Sequence, residues 1–194
     1  MNIAWVGDSI TVGTSPIVRD RLASLGAPVV ITTLAKVGAP LPWMASQMVP
    51  EGTDVIILAG GTNDLVGAGA EGAFETLKNT RAALSTGGRR VVVATIPPCK
   101  ERGPKTARYN ELIRTLGAGN FLETGGMLTL EDLSGDGVHP SSAGYQKLAG
   151  LYADAILKLD VASEVPVWAW VLGGAAVGSV VVWTIHRRRS RRLR

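Results

Sequence analysis

Five short apolar runs punctuate the chain, at residues 2–6, 28–33, 54–59, 90–95 and 120–123, and valine and isoleucine dominate them. None alternates with polar residues, which is the pattern of strands buried on both faces of a parallel sheet. Between the runs the apolar spacing lengthens to that of helices. Ser15-Pro16 supplies a cap and a first-turn proline ahead of Ile17, Val18, Leu22 and Leu25, with Gly26 as the stop. Phe74, Leu77, Arg81 and Leu84 share one helical face that ends at Gly87-Gly88, and Tyr109, Leu112, Ile113 and Leu116 share another that ends at Gly117. Ser141 or Ser142 caps a last helix whose buried side is Tyr145, Leu148, Ala149, Tyr152 and Ile156. Strand and helix in alternation predict an α/β fold, a three-layer α/β/α sandwich around a mostly parallel five-stranded sheet.

One stretch breaks this rhythm. Val165 to Ile185 is 21 residues without a charge, about 31 Å as a helix against a hydrocarbon core of about 30 Å. Trp168 and Trp170 stand near one end and Trp183 near the other, as interfacial anchors do. The expected organisation is therefore an α/β domain over 1–160, a short linker at 161–164, a C-terminal transmembrane helix at 165–185 and an arginine-rich tail at 186–194. Membrane lipid is the expected partner of the span, and Gly174 and Gly178 form a small-residue motif that suits a homodimer.

The formal net charge of +4 changes meaning once it is located. Six arginines lie within residues 187–194, and removing them from +4 leaves −2 on the rest. The body lacks the basic footprint of a nucleic-acid binder. The arginines suit a membrane interface or its anionic headgroups. By the positive-inside rule they put the tail in the cytoplasm and the domain outside. Yet residues 2–6 run directly into Gly7-Asp8-Ser9 without the basic flank and long apolar stretch of a secretory signal. A tail-anchored protein with a cytoplasmic domain is the expectation. A single cysteine, Cys99, excludes an intramolecular disulfide and a CxxC site, and is expected to be a partly buried, inert thiol.

Chemistry-bearing residues gather just after the strands or in the last long loop, where sites of open α/β sheets form. Ser9 follows the first strand, Gly38 the second and Asn63 the third, while Asp136 precedes His139 by three residues. His186 sits in the arginine tail, so a histidine base in the domain has to be His139. Each residue has a plainer reading: Ser9 as a helix cap, Asn63 as an Asx-turn, Asp136 and His139 as solvated loop residues. Together they are the parts of acyl transfer by a serine nucleophile. Gly67-Ala68-Gly69-Ala70-Glu71-Gly72 fits G-x-G-x-x-G, but it starts seven residues past Ala59, and no acidic residue closes the next strand. It reads as a flexible connection over the site rim. Asp8, Asp64 and Asp136 would suit a carboxylate metal site, but the intervening Ser and Asn suit hydrolysis without one. No cofactor and no metal are expected.

At these residues the chain resembles the GDSL esterase/lipase family, the SGNH hydrolases. Gly7-Asp8-Ser9 is similar to the family's first block, Gly61-Thr62-Asn63-Asp64 to its third and Asp136-Gly137-Val138-His139-Pro140 to its fifth. Gly38 stands where the second-block glycine belongs, in a looser match. The likeness covers roughly residues 2–158. It implies Ser9 as nucleophile, His139 as general base and Asp136 as its orienting carboxylate. The oxyanion would be held by the Ser9 and Gly38 backbone N–H groups and the Asn63 amide. No Gly-x-Ser-x-Gly elbow occurs, which separates the chain from the larger α/β-hydrolase fold. The implied activity is hydrolysis of short-chain acyl esters, with lysophospholipase-like action or a non-catalytic binding module as alternatives.

Overall fold

Every strand of the sheet runs parallel, so all five end on the same edge, and that edge carries the site. The computed structural model describes residues 1–163. The strands are β1 (Asn2–Gly7), β2 (Val30–Ala35), β3 (Val55–Ala59), β4 (Arg90–Ala94) and β5 (Phe121–Leu122), in spatial order β2-β1-β3-β4-β5. β1 is an interior strand, with Ile3 opposite Ile31 on one side and Val55 on the other, and β3 is the middle strand. Parallel neighbours need crossovers, and these are α1 (Ser9–Ser24), α2 (Leu41–Ala45), α3 (Leu65–Leu84) and α4 (Gly103–Arg114), with α5 (Ser142–Ser163) last.

Residue parity sorts the core into two faces. Ala4, Val6, Ile56, Leu58, Val91 and Val93 pack with Leu41 and Met44 of α2, Phe74 and Leu77 of α3, and Tyr109 and Ile113 of α4. The odd positions of β1 point the other way, and the Trp5 ring meets Tyr152 of α5 at 4.3 Å between centroids. α1 lies beside α5, so close that a Cβ on Gly13 would strike the Tyr145 ring. Two helical layers thus cover one sheet, the sandwich expected from the alternating pattern. Among the described residues no helix is long and apolar enough to cross a membrane. The expected span at 165–185, with Gly174 and Gly178, and the tail lie outside the described residues. α5 runs on to Ser163, into the stretch read as a linker.

Three local expectations are corrected. α1 begins at Ser9 rather than at Ser15-Pro16, because the Asp8 carboxylate caps it by accepting the Ile10 N–H at 3.0 Å. Pro16 is an interior residue, and Ser15 Oγ instead accepts the Thr33 hydroxyl of β2 at 3.0 Å. Gly67 to Gly72 is no loose connection: it is the start of α3, broken by Gly69 at φ 67°, a conformation only glycine adopts cheaply. Cys99 is fully rather than partly buried. The short helix α2 is an addition, its first turn held by Pro42 and by Asp64, whose two carboxylate oxygens accept the Leu41 N–H at 3.2 Å.

Capping α1 has an electrostatic cost. Asp8 is 2% exposed, and burial raises its carboxyl from 3.8 to about 6 against the opposing Ile10 N–H. Between those two values the folded chain binds a proton that the unfolded chain has released. Stability therefore falls as pH rises through this window, by roughly 3 kcal/mol in full. Asn caps a helix as well as Asp and carries no charge. Asp8→Asn should match the wild type in urea unfolding near pH 4 and exceed it by up to roughly 3 kcal/mol near pH 8. Equal stability at pH 8 would contradict a buried ionised carboxylate.

Candidate active site

The four site segments meet at the carboxyl edge of the sheet. β1 ends at Gly7, where a Cβ would collide with the Thr11 side chain and the Ala59 carbonyl, so glycine lets the strand turn straight into α1. Ser9, the first residue of α1, faces that edge half-buried. Its backbone N–H belongs to the first turn, which helix geometry leaves without an intrahelical acceptor. The helix dipole favours negative charge there.

Ser9 Oγ lies 2.8 Å from His139 Nε2, across 130 residues of sequence. On the other side of the ring, His139 Nδ1 lies 2.7 Å from Asp136 Oδ2. A carboxylate at Nδ1 fixes the proton on that nitrogen and leaves Nε2 as an acceptor for the serine hydroxyl. The loop that carries both residues is bonded to itself: Ser134 N–H donates to the His139 carbonyl and Ser141 N–H to the Asp132 carbonyl, each at 2.8 Å. Asp136 Oδ1 accepts from the Val138 and His139 N–H groups at 2.9 Å and from the Ser134 hydroxyl at 2.8 Å. The Val138 N–H first, then the His139 ring, hold its carboxyl well below the usual carboxylate range. The carboxylate is thus charged and oriented although half of its side chain is exposed.

Gly61 turns β3 into the Asn63 loop at φ 117°, and a Cβ there would strike the buried Tyr109 hydroxyl, which donates to the Gly60 carbonyl at 3.1 Å. Only glycine satisfies both demands. Asn63 Nδ2 donates to the Ala39 carbonyl at 3.1 Å, which uses one of its two hydrogens and ties its loop to the one carrying Gly38. Gly38 itself is exposed at φ 71°. Ser9, Gly38, Asn63, Asp136 and His139, all singled out in the sequence, therefore belong to one set of adjoining strand-end loops.

The sequence reading weighed Asp8 and Asp64 only as metal ligands and family-block residues and passed over Asn110, and all three support the site. Asp8 caps α1 from within the core, Asp64 joins the Asn63 loop to α2, and Asn110 clamps the loop after β4 by bonding both the N–H and the carbonyl of Ile96 at 2.9 and 2.8 Å. A proline-flanked Leu41 and a polar Asn110 on an apolar helix face were the available signals. Asp8, Asp64 and Asp136 have separate partners, and among the described residues no cluster suits a metal ion. A small cavity lies below the β1–α1 turn, lined by Trp5, Asp8, Thr62 and Tyr152 among others. The Trp5 indole N–H and the Thr62 hydroxyl are buried there without a hydrogen-bond partner among the described residues.

A nucleophile-type hydroxyl, an imidazole with a fixed tautomer and backbone donors at a helix N-terminus form a set that can carry out acyl transfer. Comparison with known proteins agrees. The GDSL-like lipase/acylhydrolase family model matches residues 5–147. No curated protein matches the chain. Among solved structures it is similar to a lipolytic G-D-S-L family protein from Veillonella parvula, at 23% identity and a TM-score of 0.69, covering 82% of this chain and 100% of that one. It is also similar to a carbohydrate esterase family 3 protein from Talaromyces cellulolyticus, at 18% identity and 0.68, covering 82% and 97%. A Clostridium thermocellum family 3 carbohydrate esterase gives 22% and 0.65, covering 84% and 98%. With its motifs brought together on this fold and the match spanning most of its length, the chain belongs to the GDSL-like lipase/acylhydrolase family, as a serine-type ester hydrolase.

Proposed function

We propose that the chain hydrolyses short-chain acyl esters, acetyl esters included, through an acyl-enzyme on Ser9. The observation that carries this reading is the continuous line from Asp136 Oδ2 through His139 to Ser9 Oγ, at 2.7 and 2.8 Å. In the first half-reaction Ser9 Oγ bonds to the ester carbonyl carbon as its proton passes to His139 Nε2. Asp136 stabilises the resulting imidazolium without taking the proton. The tetrahedral oxyanion sits against the N–H groups of Ser9 and Gly38 and the second hydrogen of Asn63 Nδ2. Collapse breaks the bond to the alcohol, which leaves with the proton from Nε2. Water then attacks the acyl carbon, gives its proton to His139, and restores Ser9 as the acid departs.

Short acyl groups suit the openness of the site: more than a third of the His139 side chain and half of that of Asp136 are exposed. The likeness to carbohydrate esterases supports acetyl groups on sugar as one substrate class. A second reading, lysophospholipase-like action at a lipid surface, is favoured by one observation. Val12, Val37 and Val66, each within three residues of Ser9, Gly38 or Asn63, are exposed large apolar side chains. The uncharged segment 165–185 supports membrane attachment for either reading, with the catalytic domain on the cytoplasmic side.

On p-nitrophenyl acetate, Ser9→Ala should lower kcat by ~10³ or more and Asp136→Asn by ~10²–10⁴. Asn63→Ala should lower it by ~10²–10³. Circular dichroism should show each variant folded. Ser9→Ala activity within tenfold of the wild type would remove the acyl-enzyme on Ser9, whereas a wild type without hydrolysis would return the chain to a binding module. A panel of p-nitrophenyl esters separates the two substrate readings: kcat/KM should fall beyond about four acyl carbons, whereas a rise toward long chains would favour the lipid surface.

The anchor is tested by fractionation. Full-length protein should pellet with membranes and resist alkaline carbonate and high salt, because salt screens the arginines but not apolar burial. Truncation after Asp160 should release an equally active protein into the supernatant. Full-length chain that remains soluble without detergent would overturn membrane attachment. Digestion of the domain by protease added outside sealed cells would overturn its cytoplasmic placement.

A further inference from the structure

The residues between β4 and α4 touch both loops that carry the site, and they do so with two cations. Lys100 donates its backbone N–H to the Gly137 carbonyl at 2.8 Å. Its aliphatic stem lies along the same glycine, whose added Cβ would meet Lys100 Cβ at 2.8 Å and Cδ at 3.4 Å. Gly137 stands between Asp136 and His139. Two residues on, Arg102 Nη1 donates to the carbonyl of Thr62, the residue before Asn63, at 3.1 Å. One cation is therefore held against the loop of the imidazole and the other against the loop of the Asn63 amide.

Neither cation has an acid of its own. Arg108 is paired with Glu71 and Glu111, Arg114 with Glu123, Lys78 with Glu75 and Lys147 with Asp132. Among the described residues no carboxylate lies within ion-pair distance of Lys100 or Arg102, and the remaining donors of the Arg102 guanidinium are unused. Asp136 is committed to four donors in its own loop and Asp64 to the Leu41 N–H, while Glu101, between the two cations in sequence, is exposed and pairs with neither. Arg102 is only half-exposed, and its bond to a buried neighbour's carbonyl fixes the guanidinium plane. A guanidinium and an ammonium two residues apart in sequence, one held against each of the two site loops, supply the kind of donors that recognise phosphate.

We propose that Lys100 and Arg102 form an anion subsite that selects acyl esters whose alcohol half carries a phosphate group. This rests on the ester-hydrolase reading above. His139 returns its proton to the departing alcohol, so the alcohol half lies on the side of the loop that Lys100 grips. A phosphate there is bound by both cations.

The test compares 1-acetylglycerol 3-phosphate with 1-acetylglycerol as substrates of the full-length chain. The wild type should favour the phosphate ester by ~10-fold or more in kcat/KM at low salt, the scale of one charge-assisted contact. The gain should lie in KM rather than kcat and shrink several-fold in 0.5 M NaCl. The ratio of the two kcat/KM values should drop ~10-fold in Arg102→Gln and in Lys100→Gln, with partial recovery in Arg102→Lys. Inorganic phosphate should compete with the phosphate ester. A wild-type ratio near one would overturn the subsite while leaving ester hydrolysis standing. So would substitutions that lower both substrates equally, which would make Arg102 a clamp on Thr62 only. A preference seen only for a long-chain acyl glycerol phosphate in micelles would assign the cations to a lipid surface and overturn it as well. Hydrolysis of neither ester, with p-nitrophenyl acetate also untouched, would bring down the underlying reading and this one together.

Discussion

A hydrogen bond between Ser9 and His139 joins the first strand-to-helix turn to a loop 130 residues later, and the rest of the fold is arranged so that it can form. The serine is held by a helix that starts one residue after Asp8, and the histidine by a loop bonded to itself and to the Asp136 carboxylate. Between them stands a sheet whose parallel strands all deliver their ends to one edge. An antiparallel arrangement of the same strands would send alternate loops to opposite edges. The all-parallel order β2-β1-β3-β4-β5 is therefore the condition on which the site depends.

Polar commitment within the site is uneven, and the pattern has a physical logic. Asp136 is exposed yet surrounded by four donors, so its charge is stabilised by hydrogen bonds rather than by exclusion of water. Asp8 is buried with far fewer, so its charge is opposed by desolvation. The chain retains this unfavourable group because the start of α1 needs an acceptor at that point, and the start of α1 is where the serine stands. Stability is lost locally to fix the position of one hydroxyl, a common exchange at functional sites.

Much of this was readable in the residues. Val/Ile runs of strand length predict strands covered on both sides, which holds for β1, β3 and β4 but not for the edge strand β2, whose Val30 and Thr32 are exposed. The loops after the strands are where chemistry gathers, so Ser9, Gly38, Asn63, Asp136 and His139 could be named from the residues. The errors fell where two local signals competed. Ser15-Pro16 has the composition of a helix start, but a buried Asp8 caps seven residues earlier and the chain carries the proline inside the helix. Gly67 to Gly72 has the composition of a loop, yet Leu65, Ala70 and Phe74, in and around it, pack in the core and hold it helical while a single glycine absorbs the irregularity. Lys100 and Arg102 were invisible, and the role of Asp64 was missed, because their meaning lies in which backbone groups they meet across the fold, and no spacing rule carries that.

The central claim is that Ser9 is the atom donor of the acyl-enzyme, and it is tested most directly by covalent capture. The full-length chain, treated with a fluorophosphonate that mimics the tetrahedral intermediate, should gain one adduct. Peptide mapping by mass spectrometry should locate that adduct on Ser9, with loss of ester hydrolysis in proportion to labelling. An adduct on another residue, or full hydrolysis persisting after Ser9 is blocked, would contradict the account.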